Sequence, residues 1–466
     1  MNDTIVAIAT ALSPSGIGVV RISGENAVEV ADRIFAKPNK ERLTDLPTHT
    51  IHYGHIVECT EGKEEIIDEV LLLLMRAPHS FTKEDVVEID CHGGVYLLKR
   101  VLELAIRAGA RLAEPGEFTK RAFLNGRIDL SEAEAVMDII SSSNESARKN
   151  SIGQLSGRLY KVIKELRERI IYEIAYIESA IDDPEHYDTF DFKKRLTNVV
   201  DSVNMELIRL KNSFENGRRM ISGIFSTIIG KPNVGKSSFM NLLLGEDRAI
   251  VTQIAGTTRD TLEETISLDG VTLHLIDTAG IHDTSDIVES IGVKKAKDSI
   301  EKAELIFFVL DSSDTIGEED HNLIPLLSDK KIIVILNKTD LSDNRVTEED
   351  VKDLFKDYEV MPKILPFSAK TSRGLEELTS CIREMFYHGE LNTDEELYLT
   401  NIRHKNLVEN AKKAMDHVKE SLLNDMPEDF YAIDLMQAYA SLGEIIGEEV
   451  DDDLVDEIFS KFCMGK

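Results

Sequence analysis

The sequence predicts a multidomain chain of mixed α+β and α/β class. An N-terminal α+β domain is followed by a helical domain built from two chain segments, and an α/β domain with a mostly parallel sheet is inserted between those segments. Three observations lead there. An apolar run at 224–229 passes through a glycine-bearing loop into an apolar helix start at 239–244, the strand–loop–helix order of a phosphate-binding loop. Near residue 120, alternating strand-like and helical patterns give way to unbroken helical spacing. After about 380 that helical spacing returns. The expected divisions are 1–120, 121–216, 217–380 and 381–466.

At 466 residues the chain is too long for one hydrophobic core, and 42% hydrophobic content supplies several. No segment approaches the apolar length of a membrane span, and Met1-Asn2-Asp3-Thr4 lacks the basic start of a signal peptide. Cys59, Cys91, Cys381 and Cys463 are scattered without ligand-like spacing. That argues against a disulfide framework or zinc site and for a cytoplasmic location. The net charge of −31 excludes a chain-wide electrostatic grip on nucleic acid, so any RNA contact needs a local basic patch or a basic partner. The run Glu448 to Asp453 reads as a solvated acidic helix start rather than a metal site.

In the first domain, 4–9, 16–24 and 70–75 read as strands, the last as a strand covered on both faces, and 26–35 as a helix. Val86 to Asp90 alternates, and His92-Gly93-Gly94 opens a helix through Leu104. Ser131 and Glu134 have capping-box spacing, ahead of a helix with Val136, Ile139 and Ile140 inward. Leu155, Leu159, Val162, Leu166, Ile170 and Ile174 mark a long helix ending near Asp183-Pro184, and 196–214 marks another. Later stripes are Leu407 to Leu422, and Ile433, Met436, Ala440 and Ile445. Neither helical segment makes a self-sufficient bundle, so the two halves should pack together, with the insert's entry and exit close to each other.

Four stretches of the insert fit one nucleotide site. In Gly230-Lys231-Pro232-Asn233-Val234-Gly235-Lys236-Ser237-Ser238, the glycines let successive N–H groups point at a phosphate. Lys236 would reach the β/γ-phosphates and Ser237 would ligate Mg²⁺. Asp277-Thr278-Ala279-Gly280 ends an apolar strand, with Asp277 placed to hold Mg²⁺ through water and Gly280 to sense the γ-phosphate. Asn337-Lys338-Thr339-Asp340 ends another, where a carboxylate can accept both N–H donors of a guanine edge. Ser368-Ala369-Lys370 follows a fourth strand and is positioned to cover the base.

Together these stretches resemble the translation-factor-like class of P-loop GTPases, which makes the insert a Ras-like domain. In Thr252-Gln253-Ile254-Ala255-Gly256-Thr257-Thr258, the resemblance makes Thr258 the Mg²⁺-sensing threonine. Ile281 follows Gly280 where Ras-type proteins carry a water-orienting glutamine, so another group must position the water. The whole chain is similar to the MnmE (TrmE) family of bacterial tRNA-modification GTPases. The likeness rests on the opening Asp3-Thr4-Ile5-Val6-Ala7, on Val20-Arg21-Ile22-Ser23-Gly24 and on Gly116-Glu117-Phe118-Thr119-Lys120-Arg121-Ala122-Phe123. It rests also on the ending Phe462-Cys463-Met464-Gly465-Lys466, the family's C-terminal signature with Met464 at one aliphatic position.

The resemblance implies a K⁺ ion bound by Asn233, Thr252, Ile254 and Thr257 in place of an arginine finger, a group worth ~10³–10⁵ in rate. It makes Glu289, twelve residues past Asp277, the water-positioning group. It also implies a 5-formyltetrahydrofolate-type cofactor in the N-terminal domain, near Arg21, Glu88, Arg127 and Lys466, although Arg127 replaces a lysine of the family. Cys463 is then either a thiol needed for modification or a small buried side chain. The implied assembly is a homodimer and a heterotetramer with the flavin- and NADH-dependent partner MnmG. The implied reaction is addition of an aminomethyl or carboxymethylaminomethyl group to carbon-5 of the wobble uridine of certain tRNAs. Two other readings are a ribosome-assembly GTPase acting as an RNA-binding checkpoint and a folate carrier with a regulatory GTPase. The first expects a basic RNA-binding appendage, whereas this chain is acidic and has an α+β domain in front.

Overall fold

A computed structural model describes residues 3–38, 41–60, 63–142, 144–182, 189–245, 264–268, 271–276, 299–327, 330–358, 361–387, 396–448, 450–462 and 465. The chain forms two compact units. One comprises Met1–Met137, Leu159–Arg167 and Leu442–Lys466, and the other Asp138–Arg158 and Glu168–Ser441.

The first unit is built from β1 (Ile5–Ile8), β2 (Gly18–Ser23), α1 (Ala27–Ile34), β3 (Phe35–Ala36), β4 (Thr50–Thr60), β5 (Lys63–Met75), β6 (Val86–Cys91), α2 (Val95–Arg107), β7 (Arg111–Leu112) and α3 (Glu117–Leu124). Its seven-stranded sheet runs β3-β4-β5-β6-β2-β1-β7, antiparallel throughout except where β1 meets β7. Ala27, Val28 and Ala31 of α1 and Leu98 and Val101 of α2 share one buried cluster with Val70, Leu72 and Leu74 of β5. Both helices therefore cover the same face of the sheet. The alternate residue Leu71 is 45% exposed, as are Ile51, Tyr53 and Ile66 to similar or greater extents. The uninterrupted apolar run at 70–75 thus makes a strand covered on one face, not two: on the other face Phe118 of α3 packs with Ile5 and Ala7 at β1, and β5 is left exposed there.

The cap of α4 (Leu130–Ser141) also differs from the spacing-based expectation. Asp129 N donates to Glu132 Oε2 at 2.9 Å and Asp129 Oδ1 accepts from Glu132 N at 3.0 Å, so the reciprocal box is Asp129/Glu132. Ser131 is already helical and donates its hydroxyl to Asp129. The buried apolar positions of α4 are Leu130, Ala133 and Ala135, whereas Ile140 is 45% exposed.

The second unit contains α5 (Glu145–Leu155), most of α6 (Arg158–Asp182), α7 (Thr189–Ser222), β8 (Ile224–Ile229), α8 (Lys236–Leu244), β9 (Glu264–Leu268), β10 (Val271–Leu275), β11 (Leu305–Asp311), α9 (Glu318–Leu323), β12 (Lys331–Asn337), α10 (Glu348–Leu354), β13 (Lys363–Pro366), α11 (Leu375–Phe386), α12 (Ile402–Leu423) and much of α13 (Glu428–Ile446). Its sheet runs β13-β12-β11-β8-β10-β9, parallel but for the edge strand β9. β11 and β12 are buried along nearly their whole length, with one apolar cluster on each face, as a helix-covered parallel sheet demands.

Entry to and exit from this sheet are bridged. Arg219, near the end of α7, donates to Phe386 O at 2.8 Å, where α11 ends. Asn144 caps α5 by accepting from Ala147 N at 2.7 Å, and its Nδ2 donates to Met220 O at 2.8 Å and Thr272 Oγ1 at 2.6 Å. One side chain therefore joins α5, the end of α7 and β10. On α13 the buried stripe is Tyr431, Leu435, Ala438, Leu442 and Ile445, while Ile433 and Met436 are 67% and 48% exposed. Of the expected stripe Ile445 is buried and Ala440 half-buried, but packing turned Ile433 and Met436 outward in favour of Leu435 and Leu442.

The last helix, α14 (Asp452–Ser460), returns to the first unit and packs on α3. Phe459 and Phe462 join Leu130, Ala133 and Val455 in a buried cluster.

Candidate functional site

β8 sits inside its sheet, so the loop that follows it emerges at the carboxyl ends of parallel strands, where such sheets bind ligands. Three residues of this loop have positive φ: Gly230 at 150°, Asn233 at 62° and Gly235 at 96°. A β-carbon on Gly230 would lie 2.3 Å from Val309 O, and one on Gly235 would lie 2.3 Å from Asn337 Nδ2. Both positions need glycine for space as well as for backbone freedom. Val234 is buried beneath the loop, and Asn233 is exposed. Lys236, first in α8, donates from Nζ to Gly230 O and Lys231 O, each at 2.8 Å, and burial lowers the pKa of its ammonium. An ammonium so placed gains strongly from a phosphate at the same loop. Ser237 and Ser238 follow in the first turn of the helix.

The two segments expected to read guanine, Asn337 to Asp340 and Ser368 to Lys370, close on this loop. Asn337 is buried at the end of β12; its Nδ2 donates to Val234 O at 2.9 Å and its Oδ1 accepts from Ala369 N at 3.0 Å. It acts as a strut that ties the phosphate loop to Ser368-Ala369-Lys370. Asp340 is exposed, and its Oδ1 accepts from Ser368 Oγ at 2.7 Å, which orients the carboxylate. Thr339 N and Oγ1 donate to Phe367 O at 3.1 and 2.9 Å. Lys338 bridges Asn233 O and Asp311 Oδ2, at 3.0 and 2.6 Å. Lys370 is exposed. Sequence reasoning passed over Asp311, although an acidic residue ending an apolar strand is the signal that had singled out Asp277.

Thr252, Gln253, Ile254, Ala255, Gly256, Thr257, Thr258, Asp277, Thr278, Ala279, Gly280 and Glu289 lie outside the described residues, as do Cys463 and Lys466.

A second cluster forms on the first unit. Arg21 of β2 donates from Nε to Glu88 Oε1 of β6 at 2.7 Å, its register partner, and from Nη1 to Gly465 O at 3.3 Å. Its guanidinium lies 5.7 Å from the ring centroids of both Phe81 and Phe118. Arg127 lies 4.7 Å from the Phe81 ring and donates to Phe81 O at 3.2 Å. Arg21 and Arg127 therefore meet at one aromatic ring, and Glu88 joins them through its pair with Arg21. Gly465, at φ 89°, is wedged where a β-carbon would lie 2.4 Å from Ile8 O, which seats the chain end beside Arg21.

The stretch 116–123 has a structural cause. Arg121, 1% exposed, pairs with Asp3, Glu84 and Glu117 at 2.7, 3.1 and 3.0 Å. Glu117 also pairs with Arg111 at 2.6 Å and accepts from Glu114 N at 2.9 Å. The network fixes the chain start and the opening of α3 around the arginine cluster.

Residues 130–463 match the family model described as the MnmE helical domain, and residues 4–127 match that of the GTP-binding protein TrmE N-terminus. The chain is 52% identical to the tRNA modification GTPase MnmE of Lachnoclostridium phytofermentans, covering 100% of both chains. It is 47% identical to that of Acetivibrio thermocellus and 46% identical to that of Geobacillus thermodenitrificans, in each case over 100% of this chain and 99% of the relative.

Proposed function

Because the chain belongs to the MnmE (TrmE) family of tRNA modification GTPases, we propose that it binds and hydrolyses GTP at the β8–α8 loop and couples that cycle to tRNA modification. One observation carries the nucleotide reading. Asn337 holds Val234 and Ala369 at once, so the phosphate loop and the base-reading segments are a single hydrogen-bonded assembly, with Asp340 oriented by Ser368. The positive-φ loop and the half-buried Lys236 suit a triphosphate. Mg²⁺ would be held by Ser237 and Thr258, with Asp277 acting through water. K⁺ would be held by Asn233, whose position in the loop is exposed, together with Thr252, Ile254 and Thr257. Bound there, the cation would neutralise charge developing on the phosphates. Glu289 would orient the attacking water in place of the glutamine that Ile281 replaces.

At the first unit, two guanidiniums near the aromatic ring of Phe81, with Glu88 paired to one of them, suit a flat heteroaromatic ligand bearing carboxylates. We assign this cluster, with Lys466, to a folate of the 5-formyltetrahydrofolate type, and place Cys463 near it. The folate would supply the one-carbon unit. Arg21 and Arg127 would hold its carboxylates, and Glu88 would accept from the pterin edge. The resulting group would be added at carbon-5 of the wobble uridine with the flavin-dependent partner MnmG, in an assembly of homodimer and heterotetramer. Among the described residues no helix is long and apolar enough to cross a membrane.

GTPase turnover in K⁺ against Na⁺ at matched ionic strength tests the first site, with strong K⁺ preference expected and equal rates removing the cation loop. Calorimetry with 5-formyltetrahydrofolate tests the second, with Arg21→Ala expected to abolish the heat. Mass spectrometry of wobble uridine from a deletion strain tests the reaction, since an intact carbon-5 group would overturn it.

A further inference from the structure

The segment after β11 is bolted to the nucleotide site by two lysines. Asp311 and Asn337 end neighbouring parallel strands and lie opposite each other in register. Asp311 Oδ1 accepts from Ser313 N at 2.9 Å and Ser313 Oγ at 2.7 Å, while Oδ2 accepts from Lys338 Nζ at 2.6 Å. The Asp311 side chain is 10% exposed and that of Lys338 35%. Burial pushes the Asp311 carboxyl up, but Lys338 and the two Ser313 donors outweigh it and hold the group ionised, below the usual carboxylate range. The same Lys338 ammonium donates to Asn233 O at 3.0 Å. Both Lys338 and Asn233 have left-handed backbone, at φ 66° and 62°. Asparagine adopts that conformation readily, but a lysine holds it only where its surroundings impose it. Lys231, two residues before Asn233, donates to Thr315 O at 2.8 Å and pairs with Asp314 at 2.8 Å and Asp320 at 3.5 Å.

We propose that Asp311 is a positioning residue for the guanine nucleotide, acting through Lys338: it fixes the ammonium that links the base-reading segment to the phosphate loop at Asn233. This assignment rests on the nucleotide reading of the site. Without the carboxylate, Lys338 loses the partner that sets its direction, and the Asn233 carbonyl loses a pre-positioned donor. The base site and the phosphate site are then no longer aligned in advance, which raises the ordering cost of binding. The Lys231 bracket holds the far end of the segment, so removing Asp311 acts on Lys338 rather than releasing the loop. Asp340, not Asp311, faces the guanine edge, so the effect falls on affinity and leaves base discrimination alone.

The test uses the full chain with a fluorescent GDP in stopped flow. Asp311→Asn, which keeps the side-chain shape, is expected to weaken binding about tenfold, mainly by faster dissociation, with the preference for guanosine over inosine diphosphate unchanged. Lys338→Ala is expected to lose at least as much. The double variant should lose no more than Lys338→Ala alone, because one residue acts through the other. Ser313→Ala, which leaves the lysine contact in place, should lose no more than about twofold. Wild-type kinetics for Asp311→Asn, additive losses in the double variant, or a Ser313→Ala loss equal to that of Asp311→Asn would each overturn the assignment. Failure of the wild-type chain to bind the fluorescent GDP would overturn the nucleotide reading and this assignment with it. Normal wild-type binding beside an unaffected Asp311→Asn would overturn the assignment alone.

Discussion

Gly116→Ala is expected to loosen the seam on which the chain end is seated. Gly116 precedes α3 with φ 68° and ψ 2°, and a β-carbon there would lie 2.6 Å from Phe459 O and 2.8 Å from Phe462 Cβ. Two costs follow. The left-handed conformation disfavours an L-residue by about 1–2 kcal/mol. Neither close approach is to a flexible side-chain end, so helix α14 must shift, and overpacking of this kind costs about 1–3 kcal/mol. The sum is about 2–5 kcal/mol, borne between α3 and α14. A single melting temperature is a poor observable for a chain with more than one unit. Hydrogen exchange resolved by peptide reads the seam directly. Exchange over 117–124 and 452–462 should speed up by about thirtyfold or more, the equivalent of about 2 kcal/mol, while 305–311 and 331–337 stay unchanged. The Arg21 contact with Gly465 O should weaken in consequence. Unchanged protection over 452–462 would refute the reasoning, since α14 would then not depend on a bare backbone at Gly116.

Arg121→Met should destabilise the first unit by about 3–5 kcal/mol, the range for stripping one partner from a buried charge cluster, because Asp3, Glu84 and Glu117 lose their shared cation; urea unfolding followed by exchange over 3–8 and 117–124 checks it. The same network sets an acid limit. Burial pushes Asp3 and Glu117 up, but their arginines, with Glu114 N for Glu117, outweigh it and hold both below the usual carboxylate range. Groups with lowered folded pKa contribute stability that is present above about pH 4 and is lost as pH falls through the folded value. The first unit should therefore loosen below about pH 4, and acid titration of its exchange protection would contradict this if flat to pH 3. Asn144→Ala removes the cap of α5 and both donors to Met220 O and Thr272, a loss of about 0.5–2 kcal/mol for the cap alone; exchange should rise together over 145–155 and 271–276, and a rise in the helix alone would deny the link. Iodoacetamide at pH 8 should label exposed Cys59 first and spare Cys91, whose thiol burial pushes up to about 11, as judged by peptide mass spectrometry before and after unfolding.

The chain's periodicities and motif spacings were enough to determine that β8, its loop and α8 have the strand–loop–helix order of a phosphate-binding loop and that the sheet around them is mostly parallel. Such features are local, because glycine at a positive-φ turn or an apolar run between polar ends is written in consecutive residues. Which face of an element is buried was not local. Ile433 and Met436 have the same helical spacing as Leu435, Leu442 and Ile445, yet only the latter set is covered. Leu71 is as apolar as Leu72 but lies on the face away from α1 and α2, where it is 45% exposed. The Asp129/Glu132 box displaced the Ser131/Glu134 pattern because a cap is decided by where the first turn begins. In the sites, residue types were legible but their duties were not. Asn337 became a strut, Glu117 and Arg121 a buried ion network, and Asp311 and Lys338 a pair, since each duty depends on groups that are distant in sequence or share a neighbouring strand end. Sequence spacing determines what chemistry a residue can offer, and tertiary packing decides which partner receives it.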